Sequence, residues 1–456
     1  MTLTLTIKNQ IKIPYVNEPL DEFLYSSLTM LNPKWLENER MKRWNRDTPR
    51  KLYFYNEEGE NDLFVPRGFL KGIVEYCDEN QIEFEINNQT HIFEDINFDF
   101  SGVLRPFQEI AVEKMLPENE GVLCAPTGSG KTVIGIYMIA KRKQPTLIIV
   151  HTKELLDQWT DRIKTFLNVS SKRIGHIGNG YLDEDKDITI ALIQTLSKYP
   201  EIVNDYGFLI IDECHHTPSR TFTAATKLFE GRYILGLSAT PYRRDGLSKI
   251  IEWYSGPIRH KIDPRDLINS GHITSVETVI RKTNFIASMP DPSAEYSTLL
   301  QELSQNEERN QMIVSDVLTT VAMGETCLVL TDRKAHCQEL KDMVQAKSKI
   351  KTEVLTGDVP AEPRKRIVED INSGKIKVLI ATSQLIGEGF DCKKLSALFL
   401  TLPIRFPGRV IQYLGRVLRP AKNKDRALVF DYFDQNVRVL YAGMKARKRE
   451  YEKLTI

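Results

Sequence analysis

Gly121-Val-Leu-Cys-Ala-Pro-Thr-Gly-Ser-Gly-Lys-Thr132 leads into a run with apolar residues at Val133, Ile134, Ile136, Tyr137, Ile139 and Ala140. That pattern is a short buried strand, a glycine-rich turn and an amphipathic helix. Gly128 and Gly130 let the backbone curl so that successive N–H groups and the helix N-terminus face an anion. Lys131 supplies a point charge for the outer phosphates of a nucleotide, and the Thr132 hydroxyl can ligate Mg2+. The strict pattern wants glycine where Ala125 stands, and a small residue still permits the turn. Pro126, Thr127 and Ser129 complete the loop. A glycine-rich turn alone often marks only a tight connection; the Lys-Thr pair between strand and helix favours a phosphate site.

Outward from this loop, short apolar runs bounded by turn residues recur at 122–124, 147–150, 188–192, 208–211 and 233–236, with amphipathic stretches between them. Strands alternating with helices predict a parallel sheet covered on both faces. The alternation returns after Asp263, at 327–330, 352–355, 377–380, 397–401 and 427–430. The chain therefore reads as α/β, with two tandem parallel-sheet lobes over 97–262 and 263–456 and a cleft between them. Residues 1–96 read as a small α+β domain. There Leu3, Leu5, Ile7, Ile11 and Ile13 keep a strand's period of two, and Leu20, Phe23, Leu24, Leu28 and Leu31 keep helical spacing. Strand-like runs follow at 51–55 and 82–86.

Of the 456 residues, 41% are hydrophobic and 27% charged, which excludes a disordered, collagen-like or disulfide-dense chain. No stretch approaches the ~18 to 20 consecutive apolar residues that span a bilayer. The N-terminal residues alternate apolar with polar and lack the cationic segment and apolar block of a secretory signal. Lys plus Arg number 62 and Asp plus Glu 61, so a nucleic-acid partner would be held by local charge. Cys77, Cys124, Cys214, Cys327, Cys337 and Cys392 show no metal-ligand spacing and read as reduced thiols, mostly in cores.

Phe208-Leu-Ile-Ile-Asp-Glu-Cys-His215 places Asp212 and Glu213 at the C-terminal end of an apolar strand, where open α/β sheets bind ligands. Asp212 suits a Mg2+ shell, and Glu213 suits orienting and deprotonating an attacking water. Such a pair is often only a solvated turn; the phosphate loop upstream favours function. Gln412-Tyr-Leu-Gly-Arg-Val-Leu-Arg419 puts Arg416 and Arg419 on one helix face. A guanidinium's planar fork suits a phosphoryl group whose charge spreads over three oxygens, although two arginines alone are normally a solvated face. Gly387-Glu-Gly-Phe-Asp391 is a turn where Asp391 could meet a ribose or Gly389 a phosphate.

In this order the motifs resemble those of the superfamily 2 helicases. Arg105-Pro-Phe-Gln108 resembles the adenine-reading segment and residues 125–132 resemble motif I. His151-Thr-Lys-Glu-Leu-Leu-Asp-Gln158 resembles motif Ia, and Ile193-Gln-Thr-Leu196 is similar to a further strand-contacting motif. Asp212-Glu-Cys-His215 resembles motif II, and Ser238-Ala-Thr240 with Pro241-Tyr-Arg243 resembles motif III. Residues 328–333, 381–391 and 412–419 resemble motifs IV, V and VI.

The resemblance covers 97–430 and implies two RecA-like lobes that use ATP and Mg2+, with a complete active site only when the lobes close over ATP. It implies Arg105 and Gln108 at the adenine, Ala125 through Thr132 at the phosphates, and Gly389 and Asp391 at the nucleotide. Thr132 and Asp212 would hold magnesium and Glu213 activate water. His215, Ser238, Ala239 and Thr240 would couple hydrolysis to movement, and Gln412, Arg416 and Arg419 would act at the transferring phosphoryl group. Thr152, Lys153, Gln194, Thr195, Arg333, Thr356 and Gly357 would touch the nucleic-acid strand.

The tetrad DECH is neither DEAD nor DEAH, which points away from the RNA-unwinding DEAD-box group, and His151 stands where many relatives have proline. The double lobe with a small N-terminal domain looks most like the UvsW-type helicases of tailed phages and the XPB-like group. That implies a monomeric, cytoplasmic motor (in the host, for a phage protein). It would track a single strand 3′→5′ and unwind or branch-migrate DNA forks and four-way junctions in replication, recombination or repair. A duplex translocase that separates no strands and an ATP-switched sensor or binding module are the alternatives, and RNA stays open as substrate.

Residues 34–55 carry Lys34, Arg40, Lys42, Arg43, Arg46, Arg50 and Lys51 against Glu37, Glu39 and Asp47, with Trp44, Tyr53, Phe54 and Tyr55 interleaved. Basic residues neutralise phosphates and aromatics stack on exposed bases, so Arg43, Trp44 and Arg46 are candidate DNA contacts. The alternative is a surface helix and strand whose aromatics are core. Lys445, Arg447, Lys448, Arg449 and Lys453 read as a solvated helix face.

Overall fold

The computed structural model describes residues 2–14, 17–58, 62–215, 219–240, 246–384, 392–404, 407–417, 419–420, 424 and 426–455, with backbone alone at 219–222, 361, 407–409, 412 and 416. Residues 1–125 with 130–262 make one unit, and 263–456 with 126–129 the other.

The first unit begins with the alternating run, which is two strands rather than one. β1 (Leu3–Ile7) turns at Lys8 and Asn9 into the antiparallel β2 (Gln10–Pro14), and both send Leu5, Ile11 and Ile13 into the core. The following helix, Glu18–Leu28, starts where the Asn17 side chain accepts from Leu20 N–H at 3.2 Å, and it buries Leu20, Leu24 and Leu28. It stops before Leu31, which belongs instead to β3 (Thr29–Leu31), paired antiparallel with β4 (Lys51–Tyr53). With β5 (Asn56–Glu58), β6 (Asp62–Pro66) and β7 (Phe84–Asn88), the larger sheet has the order β5-β6-β2-β1-β7.

The eight-stranded sheet of this unit holds β8 (Glu120–Cys124), β9 (Thr146–Val150), β10 (Ile174–Gly178), β11 (Tyr181–Leu182), β12 (Ile188–Leu192), β13 (Phe208–Asp212), β14 (Tyr233–Ser238) and β15 (Ile258–Lys261). Its order is β11-β10-β12-β9-β13-β14-β8-β15, parallel throughout except for the edge strand β11. Every residue of β9 and β13 is buried, as central strands covered on both faces require. Because the strands run parallel, the C-terminal ends of β8, β9, β12, β13 and β14 share one edge.

The five-stranded and eight-stranded sheets of the first unit share a continuous apolar core. Phe54 is buried with its ring centroid 4.9 Å from that of Trp253. Arg67, also buried, donates through Nη1 to Gly231 O at 2.8 Å and through Nη2 to Arg232 O at 2.9 Å, with Nε 3.5 Å from Glu120 Oε2. A buried guanidinium stripped of these acceptors would cost several kcal/mol, roughly 3–5, so the join is specific as well as apolar.

The second unit is a six-stranded parallel sheet of β16 (Ser275–Thr283), β17 (Cys327–Thr331), β18 (Thr352–Leu355), β19 (Val378–Thr382), β20 (Ala397–Leu400) and β21 (Arg426–Asp434), in the order β16-β21-β20-β17-β19-β18. Two ion pairs lie in its interior, Arg309–Asp434 at 2.9 Å and Arg447–Asp431 at 2.7 Å. Arg447 thus departs from the solvated face expected of the C-terminal basic run. It turns inward because Asp431, which also accepts from Tyr451 Oη at 2.7 Å, neutralises it, while Lys445, Lys448, Arg449 and Lys453 stay exposed. The six cysteines carry thiols rather than disulfides, and five of them are buried. Among the described residues no helix is long and apolar enough to cross a membrane.

Candidate nucleotide site

The phosphate loop leaves β8 and enters the helix Lys131–Arg142 through two left-handed glycines, Gly128 at φ +92° and Gly130 at φ +78°. A side chain at 130 would be strained and would place its Cβ 2.5 Å from Gln108 Nε2. Gln108 is therefore held against the loop backbone. It is buried, and its Oε1 accepts from Arg105 N–H at 3.0 Å across the first turn of the helix Pro106–Met115, with Arg105 itself exposed. Lys131 Nζ lies 3.0 Å from Glu213 Oε1 and 3.4 Å from Ala125 O, and Thr132 beside it is half-buried.

Asp212 ends β13 and is buried. Its Oδ2 accepts from Trp159 Nε1–H at 2.8 Å and its Oδ1 from the Glu213 N–H at 3.0 Å. Burial chiefly, and then the neighbouring Glu213 carboxylate, push the Asp212 carboxyl above the ordinary range, while Lys131 and the Trp159 hydrogen bond pull it back. Glu213 itself has φ +47°, a left-handed turn that costs a non-glycine residue roughly 1–2 kcal/mol. That turn follows the strand end directly and swings the second carboxylate to Lys131.

Trp159 is a site residue that the motifs did not reveal. It lies on the helix Lys153–Leu167 and is fully buried, crossing the next helix at Gly135, where a Cβ would sit 2.9 Å from its ring. The signal was present in general form, since a buried indole N–H needs an acceptor.

His215 closes the chain of contacts. Its Nδ1 lies 2.7 Å from Ser238 Oγ and 3.3 Å from Glu213 Oε2. Ser238 spends its hydroxyl hydrogen on Thr240 O at 2.8 Å, so Nδ1–H of His215 is the donor to Oγ, which also accepts from Thr240 N–H at 3.0 Å. Ala125 N–H donates to Ser238 O at 2.8 Å and Cys214 N–H to Leu237 O at 3.0 Å. The end of β14, with the buried Ala239 beyond it, therefore ties the phosphate loop to the acidic pair.

Along the same edge, Thr152 caps the helix after β9 by accepting from Leu155 N–H at 3.3 Å, and Lys153 is exposed. Gln194, exposed after β12, donates to His151 O at 3.2 Å, with Thr195 half-buried beside it. In the second unit Arg333 follows β17 and donates to Ser297 O at 2.6 Å, while Thr356 (buried) and Gly357 (exposed) follow β18. The helix Pro407–Val417 carries Gln412 and Arg416, whose side chains lie outside the described residues, as do Pro241 through Arg243, Gly389 and Asp391. Arg419 is half-buried, its carbonyl accepting from Lys424 Nζ at 2.8 Å. In the loop between the helix Pro33–Arg40 and β4, Arg43, Trp44 and Arg46 are all exposed.

Two family models match this chain, the Type III restriction enzyme res subunit over residues 101–243 and the helicase conserved C-terminal domain over 305–421. Together with the relatives below, these matches support a superfamily 2 helicase of the UvsW and XPB type, a class in which ATP hydrolysis is coupled to the unwinding of nucleic acid. It is 28% identical to a protein of Acanthamoeba polyphaga mimivirus named as an ATP-dependent RNA helicase, over 86% of this chain and 76% of that one. The DNA 3′-5′ translocase XPB2 of Sulfurisphaera tokodaii is 26% identical over 72% and 80%. The ATP-dependent DNA helicase uvsW of Enterobacteria phage T4 is 24% identical over 91% and 86%.

Proposed function

We propose that this chain is a DNA helicase that unwinds or branch-migrates forks and four-way junctions, moving 3′→5′, with residues 1–96 as an accessory nucleic-acid-binding domain. The observation that carries the catalytic part is the unbroken series Lys131, Glu213, His215, Ser238 at the ends of three parallel strands. The similarity to proteins named as a DNA helicase and a DNA translocase supports DNA as the substrate.

In this reading Gln108 and Arg105 read the adenine, and the loop N–H groups hold the phosphates. Lys131 moves from Glu213 to the outer phosphates, and the freed Glu213 carboxylate orients the attacking water and takes its proton. Among the described residues no three His, Cys, Asp or Glu side chains cluster as a resident metal site, so the magnesium would enter with the nucleotide and be held by Thr132 and Asp212. That ion supplies charge neutralisation at the phosphates. Arg416 and Arg419 take the charge that develops on the transferring phosphoryl group, and His215 through Thr240 relay hydrolysis to the strand-contacting residues.

The test is an ATPase and strand-displacement panel over single strands, forks, four-way junctions and RNA duplexes. DNA-stimulated turnover with displacement on forks and junctions is expected; turnover near zero with saturating DNA removes the motor reading. XPB2's name as a translocase favours a second reading, duplex translocation without strand separation. Displacement of a triplex strand with no duplex unwinding selects that reading instead.

A further inference from the structure

The interleaved aromatics of residues 34–55 split into two sets. Phe54 goes to the core, whereas Trp44 is 83% exposed, Tyr53 55% and Tyr25, from the preceding helix, 38%. Tyr25, Tyr53 and Tyr55 form a triangle with ring centroids 6.2 to 6.5 Å apart. Two of these exposed rings carry a cation. Lys51 Nζ sits 5.1 Å from the Tyr25 ring and 2.7 Å from its hydroxyl, and the Arg46 guanidinium lies 5.8 Å from the Trp44 ring. Arg50 likewise covers Trp35 at 5.2 Å.

The segment bearing Trp44 is braced. Asn38 Nδ2 donates to Asn45 Oδ1 at 3.0 Å, Asn45 Nδ2 to Trp35 O at 3.2 Å, and Asn32 Nδ2 to Pro49 O at 2.8 Å. An indole facing water on a braced segment, in a stretch (34–55) with seven basic residues against three acidic, is complementary to a ligand that combines flat apolar faces with negative charge. Asp21 and Glu57 face Tyr55, so the basic side of the patch runs from Lys51 through Arg50 to Arg46. Duplex DNA keeps its base faces stacked inside; unpaired nucleotides offer them.

We propose that Trp44, Tyr53 and Tyr25 form a stacking platform for the unpaired bases of a nucleic-acid strand, whose phosphates lie along Lys51, Arg50 and Arg46. This rests on the reading of the chain as a nucleic-acid motor and names what its N-terminal domain grips: a frayed or single-stranded arm rather than the duplex.

The test uses the full chain without ATP, labelled DNA and RNA single strands, a fork with unpaired arms and a blunt duplex of equal length. Trp44→Ala with Tyr53→Ala is expected to weaken single-strand and fork binding by about tenfold per ring, sparing the blunt duplex, while Tyr53→Phe binds as the parent does. Equal losses on fork and blunt duplex, or no loss, overturn the platform. With the unaltered protein, 2-aminopurine in the fork's unpaired arm should be quenched on binding, and unchanged fluorescence at saturation overturns it too. The DNA and RNA arms tell which strand is preferred. Nucleic-acid-stimulated ATP turnover of the unaltered protein judges the motor reading separately.

Discussion

Lys131 Nζ and Glu213 Oε1 lie 3.0 Å apart, so the cation of the phosphate loop is engaged by the residue proposed to activate water. Both side chains are largely buried, and the pair neutralises two charges that would otherwise sit desolvated. On the proposed reading a nucleotide takes the cation as it binds and so releases the carboxylate. Glu213→Gln keeps the shape and weakens the competition. It should bind a fluorescent ATP analogue at least as tightly as the parent while phosphate release falls by about 10²–10⁴-fold. Turnover at the parental rate would remove Glu213 from the chemistry.

Arg419→Ala should cost hydrolysis about 10³–10⁵-fold with ATP affinity largely kept, because a donated guanidinium acts on charge that develops only as the phosphoryl group leaves. Nucleic-acid-stimulated hydrolysis measured beside ATP binding decides it. Undiminished turnover rules the assignment out.

The indole of Trp159 supports an ionised Asp212. In Trp159→Phe the ring remains and the donor is lost, which should lower stability by about 1.5–3 kcal/mol in denaturant melts. A hydrogen bond to the charged form holds a carboxyl down, so its loss raises Asp212 further and the carboxylate protonates at higher pH. The acid limb of the ATPase pH profile should therefore move upward, and an unmoved limb counts against Asp212 as a participant.

His215 joins Glu213 to Ser238, and its removal should act on coupling more than on chemistry. In His215→Ala, strand displacement per ATP hydrolysed should fall by about tenfold, equivalent to a coupling change of about 1.4 kcal/mol. Parallel measurement of phosphate release and displacement checks it; equal losses in both would reassign His215 to hydrolysis itself.

His336 gives the second unit an acid-sensitive point. Its Nδ1 lies 2.9 Å from Thr331 Oγ1 and its Nε2 2.9 Å from Asn310 Oδ1. The Asn310 amide nitrogen is spent on Ser304 O and Glu339, which leaves Oδ1 to accept Nε2–H and Nδ1 to accept the threonine hydroxyl. Burial, then Arg309 and Arg333, lower this imidazole to about 3. Between about 3 and 6.5 the unfolded chain binds a proton that the folded one refuses, so stability is full above the unfolded value and is lost as pH falls through that window. Urea melts from pH 7 to 4 should show this slope in the parent and a shallower one in His336→Gln; identical slopes would exclude His336 as its source.

The parallel sheets were legible because central strands are continuous apolar runs: 188–192 coincides with β12, and 208–211 and 327–330 lie within β13 and β17. The first sheet was harder to read. Leu3 through Ile13 keep one period across a two-residue turn, so nothing in the alternation marks where β1 ends. Leu31 fits a helical spacing by its position alone, although the helix stops at Leu28 once the chain can pair with β4. At the site, residues that meet phosphate chemistry announce themselves by type and spacing. Trp159 and Gly135 do not, because what matters there is the crossing of two helices, which no local pattern encodes.

Arg67 grips the carbonyls of Gly231 and Arg232, and the very next residue begins β14. Six residues later that strand ends at Ser238, where His215 is received. The first sheet is thus bolted to the near end of a stiff rod whose tip touches the fuel-burning apparatus. Were an arm held at Trp44 as proposed, tension on it would reach that rod through the shared apolar core and the Arg67 grip, and the first domain would double as a handle.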